Sequence, residues 1–319
     1  MTDSKQSNAR NPGPSWGYRF LCGCDRVLPE FIFKPLRAAG TWIALAGMGK
    51  QRRHSREYLR TIFGREPRTL EVFRHFFAFE ESLMLKLRTA NGAPHETLLA
   101  PGSRHFKEYL QDKKYAFLGT FHVGNSDLLG FLLGPREQHR IFMVRHRVGN
   151  SHDTDKLAAL VGQWLTFIWV NEPNNMLFAL KEAIASGGSV AMKCDRVDFS
   201  SKTEAFDFLG AKRIFPFTIY HLALIFGLPV LLSIGVPGEN NSTVLHCAPR
   251  WTPDPDLSRA ANLASAREHF QAFLNVLEGI LRTNPYLWFN FMELNPVATA
   301  ASAAAPSPAP SPRLLRAHS

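Results

Sequence analysis

The hydrophobic pattern changes along the chain, from helical spacing in the first third to short apolar runs in the rest. The segments "SREYLRTIFG" (55–64) and "TLEVFRHFFAFEESLMLKLR" (69–88) carry apolar residues at i, i+3 and i+4, which predicts helices over residues 27–90. Short apolar runs then predict strands at 115–121, 140–146, 166–170, 189–195, 228–236 and 243–248. Helical patterns lie between these runs, including a buried helix predicted over 214–227.

This alternation of apolar strands and helices predicts an α/β fold, with a mostly parallel sheet that is flanked by helices. We divide the chain into four parts. Residues 1–15 and the Ala/Pro/Ser-rich tail 296–319 are predicted to be disordered because they lack apolar periodicity. Residues 16–90 form a helical region, and residues 91–295 form the α/β domain.

Cysteine usage narrows the class of protein. The four cysteines include no CxxC pair and no His/Cys cluster with metal-ligand spacing, so neither a zinc site nor a disulfide framework is predicted. Free thiols in apolar runs behave as small hydrophobic groups, which fits a reducing compartment. No cleavable signal peptide is visible in the polar first 20 residues.

Positive charge is concentrated near the N-terminus. From Lys34 to Arg74 there are ten Lys and Arg against three Glu, which favours an anionic partner, either nucleic acid or a membrane surface, over a merely solvated face. The best apolar stretch, "AAGTWIALAGMG" (38–49), is shorter than the roughly 20 residues that span a bilayer. It predicts a helix lying in the membrane interface with Trp42 as anchor, and an ordinary core helix is the alternative. Residues 16–90 are therefore predicted to associate with membranes.

Ionisable residues follow several predicted strands. In open α/β sheets, ligands bind outside the carboxyl ends of the strands. His122 directly follows the strand 115–121, and Asp127 begins the next apolar run. Arg145 and Asp195 end two further strands. These positions predict a site at one edge of the sheet.

The stretch "FHVGNSDLLG" (121–130) can be interpreted in several ways. A neutral imidazole at His122 can act as general base, and a carboxylate such as Asp127 can orient it. Gly124 would permit the bend between them, and Asn125 or Ser126 could cap the following turn. Ser126 is an alternative nucleophile, but "GNSDL" lacks the last Gly of the G-x-S-x-G elbow. Two ligands are too few for a metal, and a turn that happens to contain a His is the simplest alternative.

Three other features could bind substrate or be structural. Arg145 and Arg147 suit a phosphate or carboxylate, and surface cations are the alternative. Asp195 precedes Arg196, so it could belong to the site or to a local salt bridge. The segment "FDFLGAKRIFPF" (206–217) joins aromatic residues to cations, which suits an amphiphile with an acyl chain and an anionic head, or the edge of a core.

Through the stretch "FHVGNSDLLG", the chain resembles the lysophospholipid acyltransferase superfamily. Its first block is a His, four residues, then Asp or Glu, and the late acyltransferases of lipid A biosynthesis carry H-x-G-N-x-E. Further segments resemble that branch in the same order: "MVRHRVGN", "ALKEAIASGGSVAMKCD", "FDFLGAKRIFPFTIYHLALIFGLPVL" and "NPYLWFNF". The resemblance covers roughly residues 30–295.

The resemblance implies a glycerolipid acyltransferase-like fold and acyl transfer at a membrane surface. His122 would be the general base, and Asp127 would orient it. The substrate-binding positions would be Gly124, Asn125, Arg145, Arg147, Asp195, Phe208 and Gly210. The acyl donor would be a thioester of acyl carrier protein or coenzyme A, with no cofactor and no metal. The expected location is the cytoplasmic face of a bacterial inner membrane, peripheral or monotopic, with an anionic membrane surface as partner and no nucleic acid.

Two departures bear on the acceptor. The acid is Asp127 where the lipid A branch usually has Glu, and "YLWFNF" lacks that branch's paired arginines. We therefore expect the acceptor to be a hydroxyl or amine of another lipid or amphiphile. Two other classes stay open, namely a serine esterase or thioesterase using Ser126, and a non-catalytic protein of the membrane surface.

Overall fold

The computed structural model describes residues 15–111, 115–128, 139–145, 164–169, 176–197, 200 and 202–297. Most of the two ends that are predicted to be disordered lies outside these residues, as does Arg147. Of the described parts of those ends, Ser15 already lies in the first helix, and Val297 forms a β-bridge with Arg213.

Four helices occupy the N-terminal part: α1 (Ser15–Val27), α2 (Glu30–Gly47), α3 (Gly49–Phe63) and α4 (Thr69–Ala90). Helix α2 buries one residue in every four, namely Phe33, Arg37, Thr41 and Leu45. This spacing puts all four on one face, which packs against α4. Trp42, the predicted membrane anchor, is partly exposed and stacks on Phe73 of α4, with 4.4 Å between ring centroids.

A seven-stranded sheet forms the centre of the fold. Its strands are β1 (Thr97–Leu99), β2 (Phe117–Gly124), β3 (Ile141–Arg145), β4 (Leu165–Trp169), β5 (Ser189–Lys193), β8 (Val230–Pro237) and β9 (Thr243–Cys247). The spatial order is β1-β9-β8-β2-β5-β3-β4, and every neighbouring pair is parallel except β8 and β9.

Among the described residues, four further helices accompany the sheet: α5 (Arg104–Gln111), α6 (Met176–Ala185), α7 (Thr218–Phe226) and α8 (Arg259–Thr283). Short 3₁₀ turns span Ser126–Leu128 and Glu239–Asn241. The predicted α/β class, with a mostly parallel sheet flanked by helices, is confirmed.

The helix predicted over 214–227 is wrong in its first residues. A hairpin of β6 (Thr203–Phe208) and β7 (Ala211–Pro216) precedes helix α7, which begins only at Thr218. The two turn residues, Leu209 and Gly210, have φ of 51° and 76°, as in the two-residue turns that suit the twist of a hairpin. The strands alternate buried and more exposed positions, so the period-two pattern prevails over the helical one.

The C-terminal segment after α8 returns to the end of strand β2. Val123 and Trp288 form an antiparallel bridge. The Gly124 N–H donates to the Leu287 carbonyl at 2.8 Å, and the Phe289 N–H donates to the His122 carbonyl at 2.7 Å. Residues 287–289 are thus attached to the strand end that carries His122.

Candidate active site

The residues predicted for the site come together at the carboxyl ends of three neighbouring strands. His122 lies near the end of β2, Asp195 follows β5, and Arg145 ends β3. Lys193 at the end of β5 and Lys86 on helix α4 join them through Asp127. The location matches the edge at which parallel sheets bind ligands.

His122 and Asp195 form the central contact. The Nδ1 atom of His122 lies 2.8 Å from Oδ1 of Asp195, and the backbone N–H of His122 donates to Oδ2 at 2.8 Å. The indole N–H of Trp288 donates to the same Oδ2 at 3.0 Å. Asp195 is fully buried, and these donors satisfy both of its carboxylate oxygens.

The prediction that Asp127 orients His122 is therefore wrong for the ring contact. The 3₁₀ turn after β2 directs the Asp127 carboxylate to two lysines, with Lys193 Nζ at 2.6 Å and Lys86 Nζ at 3.2 Å. The Asp127 side chain is 43% exposed, whereas Asp195 has no exposed surface. Asp127 still lies near enough for its charge to interact with His122.

His122 is held as a neutral base. Burial lowers the pKa of His122 to about 4, although the neighbouring Asp195 charge raises it. Burial raises the pKa of Asp195, but His122 and Arg196 outweigh this effect and keep it below its usual value. The ionised Asp195 accepts the Nδ1 proton, so the lone pair of the neutral ring is on Nε2. In the described part of the chain Nε2 has no hydrogen-bond partner, and the side chain is 23% exposed.

Positive charge surrounds Asp127. Burial opposes the ionisation of Asp127, but Lys193 and Lys86 outweigh it and hold the pKa of its carboxyl well below its usual range. Burial also lowers the pKa of Lys86, as does the nearby Arg145 charge. The Arg145 guanidinium lies over the Phe167 ring, 5.1 Å from its centroid. Lys86, Lys193 and Arg145 give the site an excess of positive charge that suits an anionic group.

Two residues predicted as part of the turn, Gly124 and Asn125, hold the backbone in place. Gly124 has φ of 47°, and a Cβ atom there would lie 2.7 Å from the Gly235 carbonyl oxygen, so glycine is required. Asn125 is buried, and its amide donates to Thr243 Oγ1 at 3.0 Å. Gly124 and Asn125 are predicted to bind substrate, and their described hydrogen bonds fix the backbone of the turn that follows His122.

Ser126 is buried as well. Its hydroxyl donates to the Val123 carbonyl at 2.5 Å and accepts from the Gly235 N–H at 3.0 Å. Both hydrogen bonds tie the turn to the ends of β2 and β8. This arrangement explains a serine at position 126 without a nucleophilic role.

The segment containing Phe208 and Gly210 belongs to the β6–β7 hairpin and contacts the site through Trp288. Phe208 is 1% exposed, and its ring meets the Trp288 ring edge-on with 5.5 Å between centroids. Gly210 lies in the exposed turn of the β6–β7 hairpin. Phe208 therefore contacts the residue that bonds Asp195, while neither position faces His122 through a described contact.

Sequence reasoning missed three residues of this site. Lys86 lies on a helix far from the His122 block in sequence, and Trp288 lies in the C-terminal "YLW" segment. Lys193 is the last residue of β5, two positions before Asp195, and a cation at the end of an apolar run was the signal that could have identified it. Among the described residues, no group of three or more His, Cys, Asp or Glu side chains is placed to hold a metal ion.

Comparison with known proteins does not identify a family. No protein-family model matches the chain, and no curated protein matches it significantly.

Proposed function

We propose that this protein is a membrane-associated acyltransferase. It would move a fatty acyl group from a thioester of acyl carrier protein or coenzyme A to a hydroxyl or amine of a lipid or amphiphile. The observation that carries this proposal is the neutral His122. Its Nδ1 is held by the buried Asp195, and its basic Nε2 has no hydrogen-bond partner among the residues that the structure describes. A positioned base without its own nucleophile suits direct attack on an activated acyl group.

The proposed reaction uses this geometry in two proton transfers. Nε2 of His122 removes the proton of the acceptor hydroxyl as its oxygen attacks the thioester carbonyl. The resulting imidazolium is stabilised by Asp195 and returns its proton to the thiolate that leaves when the carbon–sulfur bond breaks. The products are an oxygen ester and a free thiol, and His122 is again neutral.

The nearby nucleophiles support direct transfer rather than a covalent acyl-enzyme. Ser126 Oγ is buried and engaged with two backbone groups. Cys194 is 1% exposed, and burial raises the pKa of its thiol, which opposes thiolate formation. The serine esterase or thioesterase alternative therefore has less support. A buried Asp195 that fixes the tautomer of a partly exposed His122 favours catalysis over a non-catalytic surface protein.

The cations at the site support an anionic substrate. Lys193 at the end of β5 and Lys86 on helix α4 bond Asp127. Arg145 at the end of β3 lies near enough for its charge to act on Lys86. Both thioester carriers present phosphate, and so do most lipid headgroups. The charge at this edge can attract either substrate.

The N-terminal helices support association with an anionic membrane. Residues 15–90 hold fourteen Lys and Arg against seven Asp and Glu, a net charge of +7. Helices α1 and α2 also expose large apolar side chains, namely Phe20, Val27, Phe31, Leu36 and Ile43. In the described part of the chain, no helix is long and apolar enough to cross a bilayer. We place the protein at the cytoplasmic face of a bacterial inner membrane, bound from one side.

The test uses the purified full chain with phosphatidylglycerol vesicles and labelled acyl-coenzyme A or acyl carrier protein thioester. His122→Ala should reduce transfer by about 10²–10⁴-fold, because it removes the general base. His221→Ala is the matched control. His221 on helix α7 accepts a hydrogen bond from Arg259 on helix α8, and it has no described contact with His122 or Asp195. A folded His122→Ala protein with wild-type rate would exclude the proposed mechanism.

The acceptor is identified by extracting lipids from cells with and without the protein and comparing them by mass spectrometry. A species that loses one acyl group when the protein is absent is the acceptor. We expect a lipid other than a lipid A precursor, because "YLWFNF" lacks the paired arginines. A lipid A precursor would contradict this inference while supporting acyl transfer itself.

A further inference from the structure

Trp288, in the segment that follows helix α8, connects the His122–Asp195 pair to the N-terminal helices. Its indole N–H donates to Asp195 Oδ2 at 3.0 Å. Its backbone neighbours hold β2, because the Phe289 N–H bonds the His122 carbonyl and the Gly124 N–H bonds the Leu287 carbonyl. One short segment thus fixes both the carboxylate and the backbone of the base.

Trp288 is itself fixed from the other side. Nε2 of His75 on helix α4 lies 2.8 Å from the Trp288 carbonyl oxygen, and Nδ1 of His75 lies 2.8 Å from Ser55 Oγ on helix α3. A carbonyl oxygen only accepts, so His75 Nε2 carries the proton and Ser55 donates to Nδ1. His75 is fully buried, and burial lowers its pKa to about 4, so the ring stays neutral.

The indole ring is also enclosed by aromatic side chains. The Tyr58 ring of α3 lies edge-on at 5.2 Å between centroids, and the Phe208 ring lies edge-on at 5.5 Å. Trp288 is 1% exposed. Within this enclosure the indole N–H is directed toward Asp195.

We propose that Trp288 is a positioning residue for the His122–Asp195 pair, and that Ser55 and His75 on the N-terminal helices hold it in that position. A buried carboxylate needs several donors to stay ionised and in one orientation. The indole and the His122 backbone N–H both donate to Oδ2, so the indole helps to keep Asp195 turned with Oδ1 toward the imidazole. This inference deepens the proposed function, on which its kinetic test rests.

The test compares Trp288→Phe with Trp251→Phe. Trp251 is also buried, and its indole N–H also bonds a side chain, Ser265 Oγ at 3.2 Å, but it lies away from His122. Trp288→Phe should lower kcat by about 10–100-fold with KM nearly unchanged, as expected for the loss of one hydrogen bond to a charged group. Trp251→Phe should leave kcat within about threefold. Equal kcat losses in the two folded variants would overturn the proposal.

A second readout does not need enzyme activity. In ¹⁵N-histidine NMR, wild-type His122 should show a protonated Nδ1 in a strong hydrogen bond, and Trp288→Phe should weaken that signal and shift the His122 titration. Unchanged His122 signals would overturn the positioning role even if no acyl transfer were ever found. If Trp288→Phe does not fold, benzothienylalanine at position 288 keeps the ring size and removes only the N–H, with the same two expected results. Wild-type protein without transferase activity would instead refute the proposed function alone.

Discussion

Replacing Asp195 by Asn tests which carboxylate orients the base. The two side chains have the same shape, but Asn has one acceptor oxygen and one NH₂ donor. Oδ2 of Asp195 receives two donors, the His122 N–H at 2.8 Å and the Trp288 indole at 3.0 Å. The amide oxygen of the introduced asparagine must take the position of Oδ2. In the reverse orientation its NH₂ group would face two other donors, the His122 N–H and the Trp288 indole N–H.

The NH₂ group of the introduced asparagine then faces His122 Nδ1 at the position of the Asp195 Oδ1 atom, 2.8 Å away. The ring must accept at Nδ1 and carry its proton on Nε2, so it can no longer remove a proton from the acceptor. We expect Asp195→Asn to lower kcat by about 10²–10⁴-fold, the range for loss of a general base. Because hydrogen bonds to a buried charge become bonds between neutral groups, the substitution should also destabilise the fold by about 1–3 kcal/mol.

Asp127→Asn is the matched comparison. Asp127 bonds Lys193 and Lys86 and does not bond the His122 ring, so its loss should cost kcat less than about tenfold. Steady-state kinetics of both variants, with circular dichroism and thermal unfolding as checks of folding, give the answer. A large kcat loss in Asp127→Asn together with near wild-type kcat in Asp195→Asn would refute this reasoning and restore Asp127 as the orienting group.

Three further outcomes are expected. Burial lowers the pKa of His122 to about 4, and only the neutral ring is a base. We therefore expect kcat/KM to stay flat from about pH 8 to pH 5 and to fall as the pH approaches 4. A decrease of kcat/KM centred near the unperturbed pKa of about 6.5 would contradict the argument from burial. Ser126→Ala should keep kcat within about threefold. It should lower the free energy of unfolding by about 1–3 kcal/mol, because two buried hydrogen bonds to the backbone are lost. Fluorophosphonate labelling at Ser126 would instead show that this serine is a nucleophile. Phe31→Ser with Ile43→Ser should reduce co-sedimentation with phosphatidylglycerol vesicles about tenfold or more at unchanged folding, and unchanged binding would assign the interaction to another surface.

Strand positions followed from the sequence because buried parallel strands are short continuous apolar runs between helical segments. The runs at 115–121, 189–195 and 228–236 correspond to β2, β5 and β8. The hairpin β6–β7 was missed because its aromatic residues fit both a helical and a strand period. Leu209 and Gly210 form the turn between the two strands. A leucine at positive φ is unusual, so the residue types at these positions did not indicate a turn.

The position of His122 at a strand end was also predictable, since it depends on local sequence alone. The partner of its ring was not. Asp127 is five residues away and Asp195 is 73 residues away, so sequence spacing favoured Asp127. The parallel pairing of β2 with β5 decides the contact, because it sets the Asp195 carboxylate beside the end of β2. Asp195 was assigned to the site by its place after a strand, but the pairing that defines its role is a tertiary property.

The two carboxylates divide the work at this edge of the sheet according to their burial. Asp195 has no exposed surface and three N–H donors, so it stays in one position and fixes the tautomer of His122. Asp127 is 43% exposed and bonds two lysines, which keeps those cations beside the base instead of in solvent. A rigid acceptor for the imidazole and a more exposed anchor for cations are different requirements, and one carboxylate could not meet both. In the proposed mechanism, His122 depends on this second aspartate, which follows the neighbouring strand β5 and holds Nδ1 so that Nε2 can accept a proton.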